Sequence, residues 1–179
     1  STQIVTVRSH AAMVPDVAIA QHLRGRQYFF FRERGWQGVV LAKDAAELEC
    51  LLQRIHPERI SPPRRESTLR HARNVIWTIG DPRDEDAKLV VKQPVRMHLH
   101  KKLLDRLKPS KALRSWNGTC ELMRRGIAAA PPVAYFERQE DRSLTQNYYV
   151  CEHVPAEYTA REMVATFASG QTNFEGVAE

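Results

Sequence analysis

The sequence predicts an α+β fold: a twisted antiparallel sheet with a packed helix, preceded by an N-terminal α/β extension. Three observations carry this. Apolar, β-prone stretches at 74–79, 88–93, 132–138 and 147–154 read as strands. Polar turns at 80–86, rich in Gly, Pro and Asp, and at 139–143 join them in pairs, as in hairpins. Between the two pairs lie two segments with apolar residues at helical spacing. From residue 67 the order is therefore strand, strand, helix, helix, strand, strand, helix, which is an α+β layout.

Along the chain, 3–8 reads as a short strand and 17–23 as a helical turn. Residues 28–32 and 39–42 are apolar and β-prone, with Gly35 and Gly38 between them, and read as a hairpin. Asp44 followed by Glu47 is a capping box, since each side chain can satisfy an amide at a helix start. Leu48, Leu51, Leu52 and Ile55 then form one helical stripe, which Pro57 ends. Residues 56–67 hold three prolines and many charges and read as a linker. This divides the chain into an extension at 1–60, a sheet-and-helix unit at 67–157, and the start of a further connection at 158–179. Within the unit, Leu99, Leu103, Leu104 and Leu107 share a helix face that Pro109 interrupts. Ser110 can cap a second helix running to about Arg125, with Gly126 as its stop. Residues 158–168 read as a last helix, with Met163, Val164 and Phe167 on its apolar side.

The chain has 179 residues, enough for one domain or a small domain with an extension, and 42% hydrophobic residues can form a core. No apolar run approaches the roughly 18 to 20 residues needed to span a bilayer. Residues 1–8 lack the layout of a secretion signal, and the chain opens on Ser1 rather than Met, which reads as a processed chain or a fragment. Cys50, Cys120 and Cys151 are odd in number and widely spaced, which gives neither a disulfide framework nor a zinc pattern. They read as reduced thiols of a cytoplasmic protein. The formal net charge of +6 suits an anionic partner such as phosphate, nucleic acid or an acidic membrane surface.

The most informative stretch is Leu89-Val90-Val91-Lys92, a lysine ending an apolar strand. Alternation puts Val90 and Lys92 on one face, Leu89 and Val91 on the other. In a nucleotide site that would give an apolar roof for the base and an ammonium for the phosphates. The ordinary alternative is an exposed lysine at a strand end. Two further stretches belong with it: Y-Y-V-C-E-H-V-P at 148–155, and S-K-A-L-R-S-W-N-G-T-C-E-L-M-R-R-G-I at 110–127 followed by P-P-V-A at 131–134.

Together these resemble the small lobe of protein-kinase-like folds. Leu89-Val90-Val91-Lys92 is similar to the V-A-I-K motif of the third kinase strand. Residues 148–155 resemble the fifth strand and hinge. The helix that ends in R-G-I before a Pro-rich link resembles the lipopolysaccharide (Kdo/heptose) kinase family, with Ala128 to Ala130 replacing part of that family's Pro and Thr pattern. The resemblance covers about 67–164. It implies ATP and Mg²⁺ as cosubstrates and a sugar hydroxyl of the lipopolysaccharide core as acceptor. It places Val90, Lys92, Cys151, Glu152 and Val154 around the nucleotide, with Cys151 in the gatekeeper position and the backbone of Glu152 and Val154 against the adenine. It also implies a helix carboxylate that orients Lys92. Glu121, the only acid of the second helix, is the candidate, or else a solvated residue near the helix end. The family's acid lies earlier, near Leu113 or Ser115, where this chain has none.

Several departures from the kinase pattern matter. There is no G-x-G-x-x-G loop between the first two strands of the unit; residues 69–73 carry Arg70, His71 and Arg73 instead. Nothing after Glu152 matches H-R-D-x-x-x-x-N or D-F-G, so the catalytic base and the Mg²⁺ ligands are not in this chain. The chain reads as a fragment of a longer kinase or a degenerate remnant, with no phosphotransferase activity of its own. The basic segment 96–114, with Lys101, Lys102, Arg106, Lys108 and Lys111, makes an amphipathic helix. It could meet an anionic glycolipid acceptor or lie peripherally on the inner membrane, or its leucines could simply pack on the sheet. His98 and His100 do not share a helix face, so no metal site is expected there. Two other readings stay open: a kinase-like protein with another acceptor, and a non-catalytic basic module for anionic membrane or nucleic acid, of which nucleic acid is the less favoured.

Overall fold

A computed structural model describes residues 25–63, 70–71, 74–94, 109–141 and 144–155. The expected strand at 3–8, the helical segments at 17–23, 99–107 and 158–168, and most of the basic segment 96–114 lie outside the described residues. The elements run β1 (Gln27–Glu33), β2 (Trp36–Ala42), α1 (Ala45–Ile55), β3 (Arg70–His71), β4 (Asn74–Gly80), β5 (Lys88–Pro94), α2 (Lys111–Arg124), β6 (Pro132–Arg138) and β7 (Asn147–Glu152). All seven strands join one sheet in the order β1-β2-β6-β7-β5-β4-β3, and every neighbouring pair is antiparallel. The expected α+β class and antiparallel sheet are present.

The hairpin read as part of the N-terminal extension is hydrogen-bonded into this same sheet. β2 pairs with β6, Gln37 facing Glu137 and Val40 facing Ala134. The reason lies in composition: Val39, Val40, Leu41 and Ala42 are all fully buried, so β2 needs cover on both faces and a strand on each side. The segment after α1 is also folded at its start. The amides of Arg59 and Ile60 donate to the His56 carbonyl, and Ile60 is buried in the core.

The turn between β1 and β2 is the two-residue Arg34-Gly35, with φ of 47° and 80°. Positive φ at both central residues is the mirror-image turn whose twist suits a hairpin, and glycine adopts it without strain. Gly38 has a different task. It lies inside β2 opposite Phe136, and a Cβ there would overlap the carbonyl oxygen of Tyr135 on β6.

Among the described elements, one helix covers each face. Alternation sends Val40 and Ala42 to one side, where they pack with Leu48, Leu51 and Ile55 of α1 and with Trp77, Leu89 and Val91. Val39 and Leu41 go to the other, where they meet Ala112, Leu113, Trp116 and Cys120 of α2 and Tyr135 and Tyr149. The α1 cap forms as expected at Asp44, whose Oδ1 accepts the Glu47 amide at 2.8 Å. The Glu47 carboxylate accepts from the Lys43 amide at 2.7 Å, one residue earlier than in the usual box.

Three contacts fix α2. Ser110 Oγ accepts the Leu113 amide at 3.1 Å, and Asn147 Oδ1, at the start of β7, accepts the Ala112 amide at 3.0 Å. At the other end Gly126, with φ of 71°, reverses the chain. The amides of Gly126 and Ile127 then return to the carbonyls of Met123 and Leu122, both at 2.9 Å, in a Schellman motif.

Candidate functional site

β5 sits between β4 and β7, and this sets the surroundings of Lys92. Its register partners are Ile76 on one side and Tyr149 on the other, while Val90 pairs with Thr78 and Cys151. Leu89 and Val91 are fully buried on the α1 face, as the alternation in the sequence requires, and Lys92 lies on the α2 face. There its Nζ approaches Ser115 Oγ at 3.5 Å, the outer limit of a hydrogen bond. Asn74, Lys92, Ser115 and Tyr149 line a cavity of about 10 Å³ at this point. The Tyr149 hydroxyl is engaged by Thr119 Oγ1 at 2.8 Å, and burial pushes its pKa up.

Val90 and Cys151 lie side by side on the same face. Burial pushes the Cys151 thiol up to about 11, with the Lys92 charge acting in the opposite sense and that of Glu152 in the same sense. A protonated thiol beside a valine is an apolar surface, so the strand pair presents an apolar patch next to an ammonium.

The structure does not bring Glu121 to Lys92. Glu121 is held by Arg125 Nε and Arg124 Nη2, each at 2.7 Å, and these two hydrogen-bonded arginines draw its carboxyl below the usual range. Six residues separate it from Ser115, roughly 9 Å along the helix axis and about 240° around it. The helix position that faces Lys92 therefore carries a serine. The sequence had already shown that the neighbourhood of Leu113 and Ser115 lacks an acid.

At the end of β7 the backbone is ordered by two bonds. The Glu152 amide donates to Pro131 O and the His153 amide to Lys88 O, both at 2.9 Å. Val154 lies beyond them and is 55% exposed. Glu152 has the parity of Val150, so its side chain lies on the α1 face, away from Lys92. From Tyr149, opposite Lys92, to Glu152 is about 10 Å along the strand.

That other face carries a dense ion-pair cluster that no sequence pattern predicts. Arg83 donates from Nε to Asp81 Oδ1 at 2.8 Å and from Nη2 to Asp81 Oδ2 at 2.6 Å. The same guanidinium reaches Glu152 at 3.3 Å and Glu47 at 3.5 Å, and Arg26 Nη1 meets Glu152 Oε1 at 2.7 Å. Asp81 and Arg83 stand two apart in the turn read as 80–86, and that spacing, with Pro82 between them, is the only local signal. Asp81 also accepts the Arg83 amide at 2.9 Å, which shapes the turn. Burial works to raise the Asp81 carboxyl, but the bonds and charge of Arg83, with Arg26 behind it, outweigh this and hold it below the usual range.

A carboxyl depressed in the folded state contributes stability above its unfolded pKa, about 3.9, and loses it as pH falls through the folded value. Asp81→Asn is therefore expected to be less stable than wild type at pH 7, with the difference shrinking below about pH 4. Urea unfolding of both proteins at neutral and acidic pH checks this. A difference that does not narrow in acid would show that the charge of Asp81 is not what matters.

Among the described residues, no group of three or more His, Cys, Asp or Glu side chains is placed to hold a metal ion. No described helix is long and apolar enough to cross a membrane. The chain matches no family model, no curated protein and no solved structure.

Proposed function

We propose that this chain is the nucleotide-facing small lobe of an ATP-dependent phosphotransferase, with a sugar hydroxyl of the lipopolysaccharide core as acceptor of the complete enzyme. The observation that supports it is the placement of Lys92. Counted from residue 67, its strand is the third, the helix that follows packs over the same face, and Lys92 Nζ lies beneath that helix. Val90 and Cys151 continue this face toward the strand end at Glu152. A purine against the Val90–Cys151 patch would set its phosphates toward the Lys92 ammonium. The backbone at Glu152 and Val154 would flank its edge. The acceptor rests on the resemblance of 110–134 to the lipopolysaccharide kinase family alone.

In such a site Lys92 neutralises phosphate charge and fixes the phosphates in position, which is most of what a phosphotransferase scaffold contributes. Among the described residues no carboxylate pairs with Lys92, and in this reading its ammonium would meet the phosphates without a helix acid to orient it. The base that receives the acceptor proton is assigned to residues beyond this lobe.

ATP is expected to stabilise the chain against thermal unfolding. A ligand at a hundred times its Kd contributes about 2.7 kcal/mol, enough to shift a midpoint by several degrees. Millimolar ATP should raise the midpoint, and an equal concentration of inorganic phosphate should do so less, because the base patch is then unused. No shift with ATP would remove the nucleotide reading.

A further inference from the structure

We propose that Arg83 and Arg26 are positioning residues that hold the end of β7, through the Glu152 carboxylate, in the place where the strand meets the nucleotide base. This rests on the nucleotide reading above and adds what fixes the base-contacting backbone.

The cluster joins parts of the chain that are far apart in sequence. Arg26 immediately precedes β1. Glu47 belongs to the first turn of α1, whose start it also helps to cap. Asp81 and Arg83 form the turn between β4 and β5, and Glu152 ends β7. The side chains of Arg26, Arg83, Glu47 and Asp81 are at most 14% exposed, and that of Glu152 is 21% exposed. Ion pairs this far from water are sensitive to geometry: removing one partner leaves a charge without compensation, and a guanidinium fork accepts few arrangements of its carboxylates. Arg83 binds Asp81 through both oxygens and still reaches Glu152, so the turn and the strand end cannot shift independently. The His153 amide, bonded to Lys88 O at the other end of that turn, completes the tie.

Residues 25–63 lie outside the stretch that resembles a kinase lobe, yet Arg26 and Glu47 both reach the strand end. The hairpin and α1 therefore brace the strand end at Glu152 from the α1 face, opposite the face assigned to the nucleotide. Arg83 and Arg26 touch no nucleotide in this arrangement. They act by fixing where the backbone of Glu152 and Val154 stands.

The test combines amide hydrogen exchange with ATP binding in wild type, Arg83→Met, Arg83→Lys and Arg26→Gln. In Arg83→Met the His153 amide should exchange at least about tenfold faster, while the central Val91 and Val150 amides keep wild-type protection, the mark of local rather than global opening. ATP affinity should fall about tenfold, within the roughly 5- to 150-fold usual for coupled sites. Arg83→Lys keeps the charge without the fork and should lie between. If Arg83→Met does not fold, Arg26→Gln carries the same comparison through its 2.7 Å bond to Glu152. Unchanged His153 exchange overturns the clamp. Faster exchange with unchanged ATP affinity overturns its link to the nucleotide. If wild type binds no ATP, the nucleotide reading fails, and His153 exchange alone decides whether the clamp holds the strand end.

Discussion

Lys92→Met is expected to weaken ATP binding by about 10- to 100-fold, the worth of a hydrogen bond or ion contact to a charged group at roughly 1.5 to 3 kcal/mol. The side chains are similar in length, so the change removes charge with little loss of packing. Among the described residues the hydrogen-bond partner of its ammonium is Ser115 at 3.5 Å, a marginal contact, and the unfolding midpoint without ligand should hardly move. Competition against a fluorescent ATP analogue gives the affinity, and thermal unfolding gives the control. In a complete enzyme the same substitution should lower turnover by about 10² to 10³, as for other groups that stabilise charge in a transition state. Equal ATP affinity in the two proteins would show that Lys92 is a strand-end lysine without a ligand.

Gly38→Ala is expected to be among the most destabilising single-atom additions in the chain. The new Cβ would overlap the Tyr135 carbonyl in the middle of the β2–β6 ladder, where neither backbone can retreat. Overpacking against flexible side chains costs about 1 to 3 kcal/mol, and against backbone the cost should reach the top of that range or exceed it. Gly35→Ala is the comparison: it meets open space and is strained only by its φ of 80°. It should cost about 1 kcal/mol, the penalty of the left-handed region for a residue with a Cβ. Urea unfolding of both variants gives the ordering, and a larger loss at Gly35 would contradict the packing account.

These two glycines show how far the sequence could be read. Residues 28–42 were legible as a hairpin because apolar β-prone runs flank a glycine, and Gly35 does make the turn. Gly38 read as part of that turn because its use is a close approach between strands distant in sequence, which no local pattern records. β2 joined to β6 is invisible for the same reason: strand pairing across about a hundred residues has no periodic signature. The capped ends of α1 and α2 were legible because Asp44, Ser110 and Gly126 act on amides and carbonyls within a few residues.

At the candidate site, alternation alone separated Lys92 and Val90 from Leu89 and Val91. Alternation does not identify the helix residue facing Lys92. Glu121 was chosen as the sole acid of the helix, but pairing depends on helix rotation against the sheet, and that rotation presents Ser115. Local arginines at three and four residues' distance then claim Glu121, a contact the sequence alone made available. The Arg83 cluster has no local sequence signature because its members come from four separate segments.

The central claim is that the α2 face of β5 and β7 receives a nucleotide, and backbone amide shifts on titration with ADP test it most directly. The account expects the largest shifts at Val90, Lys92, Ser115 and from Tyr149 to Val154, with the outer surface of α1 unmoved. Shifts confined to the 450 Å³ groove along α1 beside Leu48, Leu52 and His56, or no shifts at all, would contradict it.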